Sequence, residues 1–368
     1  MASPRRAFLA SLAGMTPGLV TGALTAAWGL HAQHAAALPA RPLVFPRDHG
    51  AHPDLRTEWW YVTGQLQAGA RVFGFQVTFF RSRVDGTQSL TSAFAARQLL
   101  FAHAVVTDLQ GGRLWHDQRI AREGFGLAQA SRDDLQVTLR DWSLARARDG
   151  QLRAVASAGA FALDLQFTPV QPLLLQGVDG LSRKGPQEQQ ASYYYSLPQL
   201  QAAGSLRLQS QRFDVTGSAW LDHEWSEELL HPQAVGWDWI GMNLADGSAL
   251  TAFRLRRGDG SALWDGGSWR GNQGAARSFA AGQVRFTPLR EWTSPHSGAR
   301  YPVAWQLETP AGRFEVHAMI DDQELDSRAS TGAIYWEGLS RLLDAQGREV
   351  GRGYLEMTGY AARLQLGR

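Results

Sequence analysis

The stretch Trp59-Trp60-Tyr61-Val62-Thr63-Gly64-Gln65-Leu66, followed by Gly74-Phe75-Gln76-Val77-Thr78-Phe79-Phe80-Arg81, decides the fold. Phe73, Phe75, Val77 and Phe79 fall on one side of an extended chain, and Gln76 and Thr78 fall on the other. A period of two marks a strand, because successive side chains point to opposite faces. The alternation returns in Leu135, Val137 and Leu139, in Phe161, Leu163, Leu165 and Phe167, and in Phe314, Val316, Ala318 and Ile320. Turn dipeptides separate the runs, among them Asp85-Gly86, Gly111-Gly112, Asp149-Gly150 and Asp246-Gly247. Helical spacing is confined to short pieces at 98–100 and 339–343, apart from the N-terminal segment. An all-β chain of 368 residues is expected to close into barrels or sandwiches, since closure removes exposed edges.

The opening pattern has an echo. Trp237-Asp238-Trp239-Ile240-Gly241-Met242-Asn243-Leu244 is followed by Leu250-Thr251-Ala252-Phe253-Arg254, again an aromatic strand, a turn and a second strand ending in Arg. The offset is about half the chain, so the repeated unit is a domain rather than a solenoid turn. The join is expected between Trp225 and Gly236. Trp59 and Trp237 hold equivalent places in the echo, which predicts that both are core residues.

Composition narrows the function classes. Hydrophobic residues make up 44% and charged residues 19%, which excludes a disordered chain. There is no Cys, so disulfides, thiolate catalysis and cysteine metal sites are out. Fourteen Trp favour strands and aromatic-lined cavities. Arg5-Arg6 precedes an Ala/Gly/Leu-rich stretch that ends near Ala35-Ala36-Ala37, and no acid occurs before Asp48. This reads as a twin-arginine export signal over 1–37 with a small-residue cleavage site. It predicts a periplasmic or secreted protein with no stable membrane span after cleavage. Without Arg5 and Arg6 the chain carries 34 bases against 34 acids, which gives no electrostatic case for nucleic acid as a partner.

Phe45-Pro46-Arg47-Asp48-His49-Gly50-Ala51-His52-Pro53, leading into Glu58-Trp59-Trp60-Tyr61, resembles the opening of the lipocalin-like AttH/CrtC family, which includes carotenoid 1,2-hydratase. Further matches follow in order: Ser192-Tyr193-Tyr194-Tyr195-Ser196, Trp220-Leu221-Asp222-His223-Glu224-Trp225, Gly236-Trp237-Asp238-Trp239, Tyr335-Trp336-Glu337-Gly338 and Gly353-Tyr354-Leu355-Glu356. The resemblance implies two consecutive lipocalin-like antiparallel β-barrel domains packed together, over 45–226 and 232–366. It also implies a greasy ligand, isoprenoid, polyene or lipid-like, enclosed by a barrel or by the join between barrels. Relatives range from hydratases and pericyclases to exported proteins linked to transporters. The expected roles are therefore a carrier or accessory to an ABC transporter, or alternatively a hydratase that adds water to an alkene.

Asp222, His223, Glu224 and Trp225 are the candidate catalytic residues. On a strand, Asp222 and Glu224 share one face, while His223 shares the other with Leu221 and Trp225. Burial against Trp raises a carboxyl pKa and keeps the proton that hydration of an alkene needs. The His-x-Trp of carotenoid hydratase matches His223 and Trp225, whereas that enzyme's downstream Tyr-x-Asp pair has no counterpart. The alternative for this cluster is an ion network of Asp222, Glu224 and Arg254 joining the barrels. Trp59, Tyr61, Trp237, Trp239, Trp336 and Tyr354 are the candidate ligand contacts. Asp48, His49, His52 and Glu58 are expected to plug a barrel mouth with their polar groups paired rather than to bind metal. Glu324, Glu337 and Glu356 face either solvent or a cavity. No cofactor is expected, because phosphate loops and dinucleotide fingerprints are absent. No Gly-x-Ser-x-Gly elbow supports a hydrolase, Gly266-Gly267-Ser268-Trp269-Arg270 being the nearest miss.

Overall fold

Strands account for nearly all of the regular structure in the computed structural model, which describes residues 37–228 and 230–365. The leader motif, Arg5-Arg6 with Ala35 and Ala36, lies outside the described residues. Among the described residues helix is limited to the 3-10 turns Arg47–His49 and Asp85–Thr87, and no helix is long and apolar enough to cross a membrane.

The first sheet holds β1 (Thr57–Ala68), β2 (Arg71–Arg83), β3 (Gln98–Asp108), β4 (Arg113–Arg122), β5 (Ala128–Ala130), β6 (Gln136–Leu139), β7 (Trp142–Arg146), β8 (Leu152–Ser157), β9 (Phe161–Thr168), β10 (Leu174–Leu175), β11 (Leu181–Arg183), β12 (Ala191–Leu208) and β13 (Gln211–Ser226). The second holds β14 (Gly236–Leu244), β15 (Ala249–Arg256), β16 (Ala262–Arg270), β17 (Ala276–Phe279), β18 (Arg285–Thr293), β19 (Arg300–Thr309), β20 (Gly312–Ala318), β21 (Glu324–Ser327), β22 (Ala333–Leu343) and β23 (Glu349–Met357). The short pieces proposed as helix at 98–100 and 339–343 are parts of β3 and β22. Their apolar residues are set by the pairing of both edges to neighbours.

The two sheets share one wiring. The first runs β4-β3-β2-β1-β13-β12-β9-β8-β7-β6-β5, and the second runs β17-β16-β15-β14-β23-β22-β20-β19-β18. In each, the opening strand pairs with its hairpin partner on one side and with the sheet's last long strand on the other. Antiparallel neighbours joined by short turns make that order accessible. The first sheet is nearly closed. The Arg119 guanidinium on β4 donates to the Ser157 carbonyl at the end of β8 and stacks 4.6 Å over the Trp142 ring of β7.

Phe73, Phe75, Val77, Phe79, Phe161, Leu163, Leu165 and Phe167 all point into the first barrel and are buried. With Trp60, Trp142 and Trp225 they fill it. Ile240, Met242, Trp305, Trp336 and Leu355 fill the second. The strand predicted through Ile320 ends at Ala318. Gln76 and Thr78, on the other face of β2, are also buried, because the outer face of β1, β2 and β13 packs against β14, β22 and β23. This seam between the barrels collects Tyr61, Trp220, Trp239, Phe253, Leu339 and Tyr354.

Candidate functional site

β13 has two chemically different faces. Ala219, Leu221, His223 and Trp225 point into the first barrel, while Trp220, Asp222 and Glu224 point to the seam. The strand period thus splits the predicted catalytic quartet between two places.

On the inner face, His223 stacks on Trp60 with ring centroids 4.8 Å apart and hydrogen-bonds Glu58 Oε1 through Nε2 at 2.9 Å. Glu58 also accepts from His52 Nδ1 at 2.7 Å and from Arg81 Nε at 2.7 Å. His52 lies flat on Trp225, 4.0 Å between centroids, and its other nitrogen meets Asp48 at 3.0 Å. Asp48 is held in turn by Arg41 at 2.7 Å. Burial works to raise the Glu58 carboxyl, but His223, His52 and Arg81 outweigh it and hold the group far below its usual range. Burial pushes His223 down to about 4 and His49 to about 3, so both are neutral rings. The Tyr195 hydroxyl is hydrogen-bonded to His49 Nδ1 at 2.6 Å and to His223 Nδ1 at 3.3 Å.

His52, Glu58 and His223 bring three ligand atoms within 4.8 Å of one another, a spacing that suits a metal. The Arg81 guanidinium, 2% exposed, already neutralises the same carboxylate and also donates to Gln98 and to the His52 and Leu55 carbonyls. A cation would compete with that fixed positive charge. The cluster closes the barrel mouth as a paired plug. A groove of about 560 Å³ lies beside it, lined by charged residues including Arg83, Arg97 and Glu123, and does not reach the seam.

On the outer face, Asp222 accepts from the Tyr194 hydroxyl at 2.7 Å, from Ser196 Oγ at 2.5 Å and from Trp220 Nε1 at 2.7 Å. Burial pushes its carboxyl up to about 7 against the pull of these donors, and Glu224 adds to the rise. Glu224 accepts from the Ser192 hydroxyl and from Lys184 Nζ at 3.0 Å. The network proposed through Arg254 does not form. Arg254 belongs to the second barrel, where it pairs with Asp238 at 2.7 Å across β14 and β15.

The second barrel supplies Glu337 from β22 and Glu356 from β23, register partners on the seam face. Burial and the neighbouring Glu356 push Glu337 well above the carboxylate range, with the Tyr61 hydroxyl opposing. Burial lifts Glu356 to about 7, with Trp237 opposing and Asp222 and Glu224 adding. Glu356 keeps partial exposure although neighbours crowd it, and half-buried Trp59 and Trp237 stand at the same rim. The Tyr354 hydroxyl and Gln76 Oε1 are buried without a hydrogen-bond partner, and the Tyr61 hydroxyl and Glu337 Oε1, close enough to influence each other, do not complete a well-formed hydrogen bond. Tyr61 packs edge-on against Trp239, centroids 5.5 Å apart.

Of the predicted ligand contacts, Trp59, Tyr61, Trp237, Trp239 and Tyr354 therefore meet at the seam. Trp336 does not. It is fully buried inside the second barrel and donates to the Asp321 carbonyl at 2.7 Å. Trp59 and Trp237, predicted as core, are half-buried. Glu324 sits apart at the edge, held by Ser294 and Ser297. Sequence reasoning missed Lys184, Tyr194, Ser196 and Arg81. Lys184 alone carried a signal, as the chain's single lysine.

Two barrels of one wiring, packed outer face to outer face around buried acids and aromatic rings, define a two-domain, lipocalin-like fold. The AttH-like family model matches residues 36–360, and the chain belongs to that family. An AttH protein from Nitrosomonas europaea is 47% identical over 89% of this chain and 100% of that one, with a TM-score of 0.83. Kievitone hydratase from Nectria haematococca is 14% identical, covers 89% of this chain and 96% of its own, and has a TM-score of 0.68. CghA with Sch210972 is 13% identical over 85% and 89%, with a TM-score of 0.53. At those identities the last two share the fold alone. No curated protein matches the chain.

Proposed function

We propose that this AttH-like protein binds an apolar small molecule, isoprenoid, polyene or lipid-like, at the seam between its barrels. We place that role outside the cytoplasm, as the Arg5-Arg6 leader suggests, in a carrier or accessory protein serving a transporter. One observation carries the reading. Four buried polar atoms, on Tyr61, Gln76, Glu337 and Tyr354, lack a well-formed hydrogen bond at the aromatic-lined seam. Buried polar groups are nearly always satisfied, so a cluster of exceptions marks a place kept for a ligand or water. The barrel interiors are filled with Phe, Leu and Trp, and among the described residues their unpartnered atoms, such as Trp225 Nε1 and Trp305 Nε1, have no pair of raised carboxyls beside them to match Glu337 and Glu356. Native mass spectrometry of the protein purified from its own host tests the reading. A retained lipid or pigment, displaced when Tyr61 or Trp239 is changed to Ala, is the expected result. Protein that retains nothing, and whose melting temperature no lipid extract raises, would sink it.

A hydratase is the second reading, and the raised carboxyls favour it. Asp222 and Glu356, both pushed up to about 7, and Glu337, pushed well above the carboxylate range, can carry a proton near neutral pH, as a general acid must. Both oxygens of Asp222 are occupied by donors, whereas Glu337 Oε1 completes no well-formed hydrogen bond. In this reading the acid moves from Asp222 to Glu337. Any turnover of an alkene would then fall roughly 10²–10⁴-fold in Glu337→Gln and survive in Asp222→Asn.

A further inference from the structure

We infer that the seam recognises a cationic group on its ligand, an organic ammonium carried by an apolar body. The inference rests on the seam being the binding site. Asp222, Glu224, Glu337 and Glu356 converge there against one base, Lys184, which Glu224 already engages at 3.0 Å. Glu337 and Glu356 stand directly opposite on β22 and β23. Like charges placed so cannot both ionise without a counter-charge between them. The second, independent observation is the set of orphaned atoms. The Tyr354 hydroxyl has no partner, Glu337 Oε1 and the Tyr61 hydroxyl complete no well-formed hydrogen bond, and Glu337, Tyr61 and Tyr354 are 2%, 6% and 1% exposed.

A neutral ligand would leave the carboxyl pair as it is. An ammonium would settle the charge of the pair, and phenol oxygens accept from or face its polarised hydrogens. The rings of Trp59 and Trp237 at the rim, and of buried Trp239 in the seam, add the face-on attraction that aromatic rings offer to quaternary nitrogen. The protein already shows this preference on its own side chain. Lys184 Nζ lies 4.7 Å from the Tyr194 ring and 4.2 Å from the Phe253 ring, bridging the two barrels.

The test compares three probes of equal chain length: decyltrimethylammonium, decan-1-ol and decanoate, each titrated into the full-length mature protein below its aggregation limit. Tryptophan fluorescence and calorimetry report binding. The expected result is ammonium binding at least about tenfold tighter than the alcohol, with decanoate weakest. Glu337→Gln and Glu356→Gln should each erase that margin in protein whose melting transition shows it to be folded. Equal binding of ammonium and alcohol would overturn the cationic assignment and leave the seam as an apolar site. A margin that survives both Gln variants would overturn it equally, by placing the cation elsewhere. Failure of all three probes on folded protein would remove the binding reading itself, and this inference with it.

Discussion

Asp222 pairs with Tyr61 across β1 and β13, and Glu356 pairs with Trp239 across β14 and β23. The two carboxyls therefore hold matching places in the two barrels, and burial lifts both to about 7. A carboxyl raised on folding favours the folded state most below its unfolded value, and that contribution fades as pH climbs through the folded value. For Asp222 the window runs from about 4 to about 7. His49, His103 and His223, pushed down by burial, carry the opposite slope over part of this range, so the native chain alone hides the effect. The difference between the native chain and Asp222→Asn isolates it. The variant should gain on the native protein at up to about 1.4 kcal/mol per pH unit across the window, then hold level above it. Urea melts at stepped pH check this; a difference that stays constant from pH 4 to 7 would show that Asp222 is ionised throughout. At this scale the sequence was only half readable. The alternation placed Asp222 and His223 on opposite faces correctly. Their partners were out of reach, because Tyr194, Ser196 and Glu58 come from other strands that only folding brings close.

β1 shows what strand patterns do and do not reveal. Trp60 enters the packed interior and is fully buried, with its indole N–H donating to the His49 carbonyl at 3.0 Å. Trp59, one residue earlier, faces the seam rim and is half-buried. Trp60→Ala should therefore cost about 3–5 kcal/mol, the range for emptying a large aromatic site, and Trp59→Ala markedly less. Chemical denaturation of both variants decides it, and equal losses would mean that the rim is as tightly packed as the core. The periodicity of β2 was legible, and the surroundings of Gln76 and Thr78 were not. Alternation says that one face is polar, and it does not say whether that face meets water or the polar face of a second barrel. A bulge makes the link between barrels directional. Where the register of β12 shifts between Leu197 and Leu200, Gln199 reaches across and donates to the Leu244 and Ser248 carbonyls at 2.9 and 2.8 Å.

At the scale of the whole molecule, the duplicated wiring was faintly written in Trp59-Trp60-Tyr61 and Trp237-Asp238-Trp239, and the aromatic residues of the seam came with it. The charge pattern of the seam was not. Arg254 looked like a bridge between barrels, yet its nearest acid is Asp238 on the adjoining strand. Short-range strand pairing settled that contest. How closely the barrels meet is set partly by Gly74, where an added Cβ would lie 2.7 Å from the Tyr354 hydroxyl and 3.0 Å from Leu339 Cβ. Gly74→Ala is expected to cost about 1–3 kcal/mol, as overpacking does, and to speed amide hydrogen exchange along β1 and β23 more than within the barrel interiors. Unchanged exchange at the seam would mean that the two sheets yield there without strain.

Lys184 has a practical consequence. It is the chain's single lysine, and it is buried beneath Glu224, Tyr194 and Phe253. Lysine-directed acylation, biotinylation and cross-linking find no ε-amine on the outer surface of this molecule. Any such label found on an ε-amine has entered between the barrels. The rate of modification at Lys184 is therefore a clock for the opening of the seam, and a single isotopically labelled methyl group placed on its nitrogen would give one resonance reporting one site.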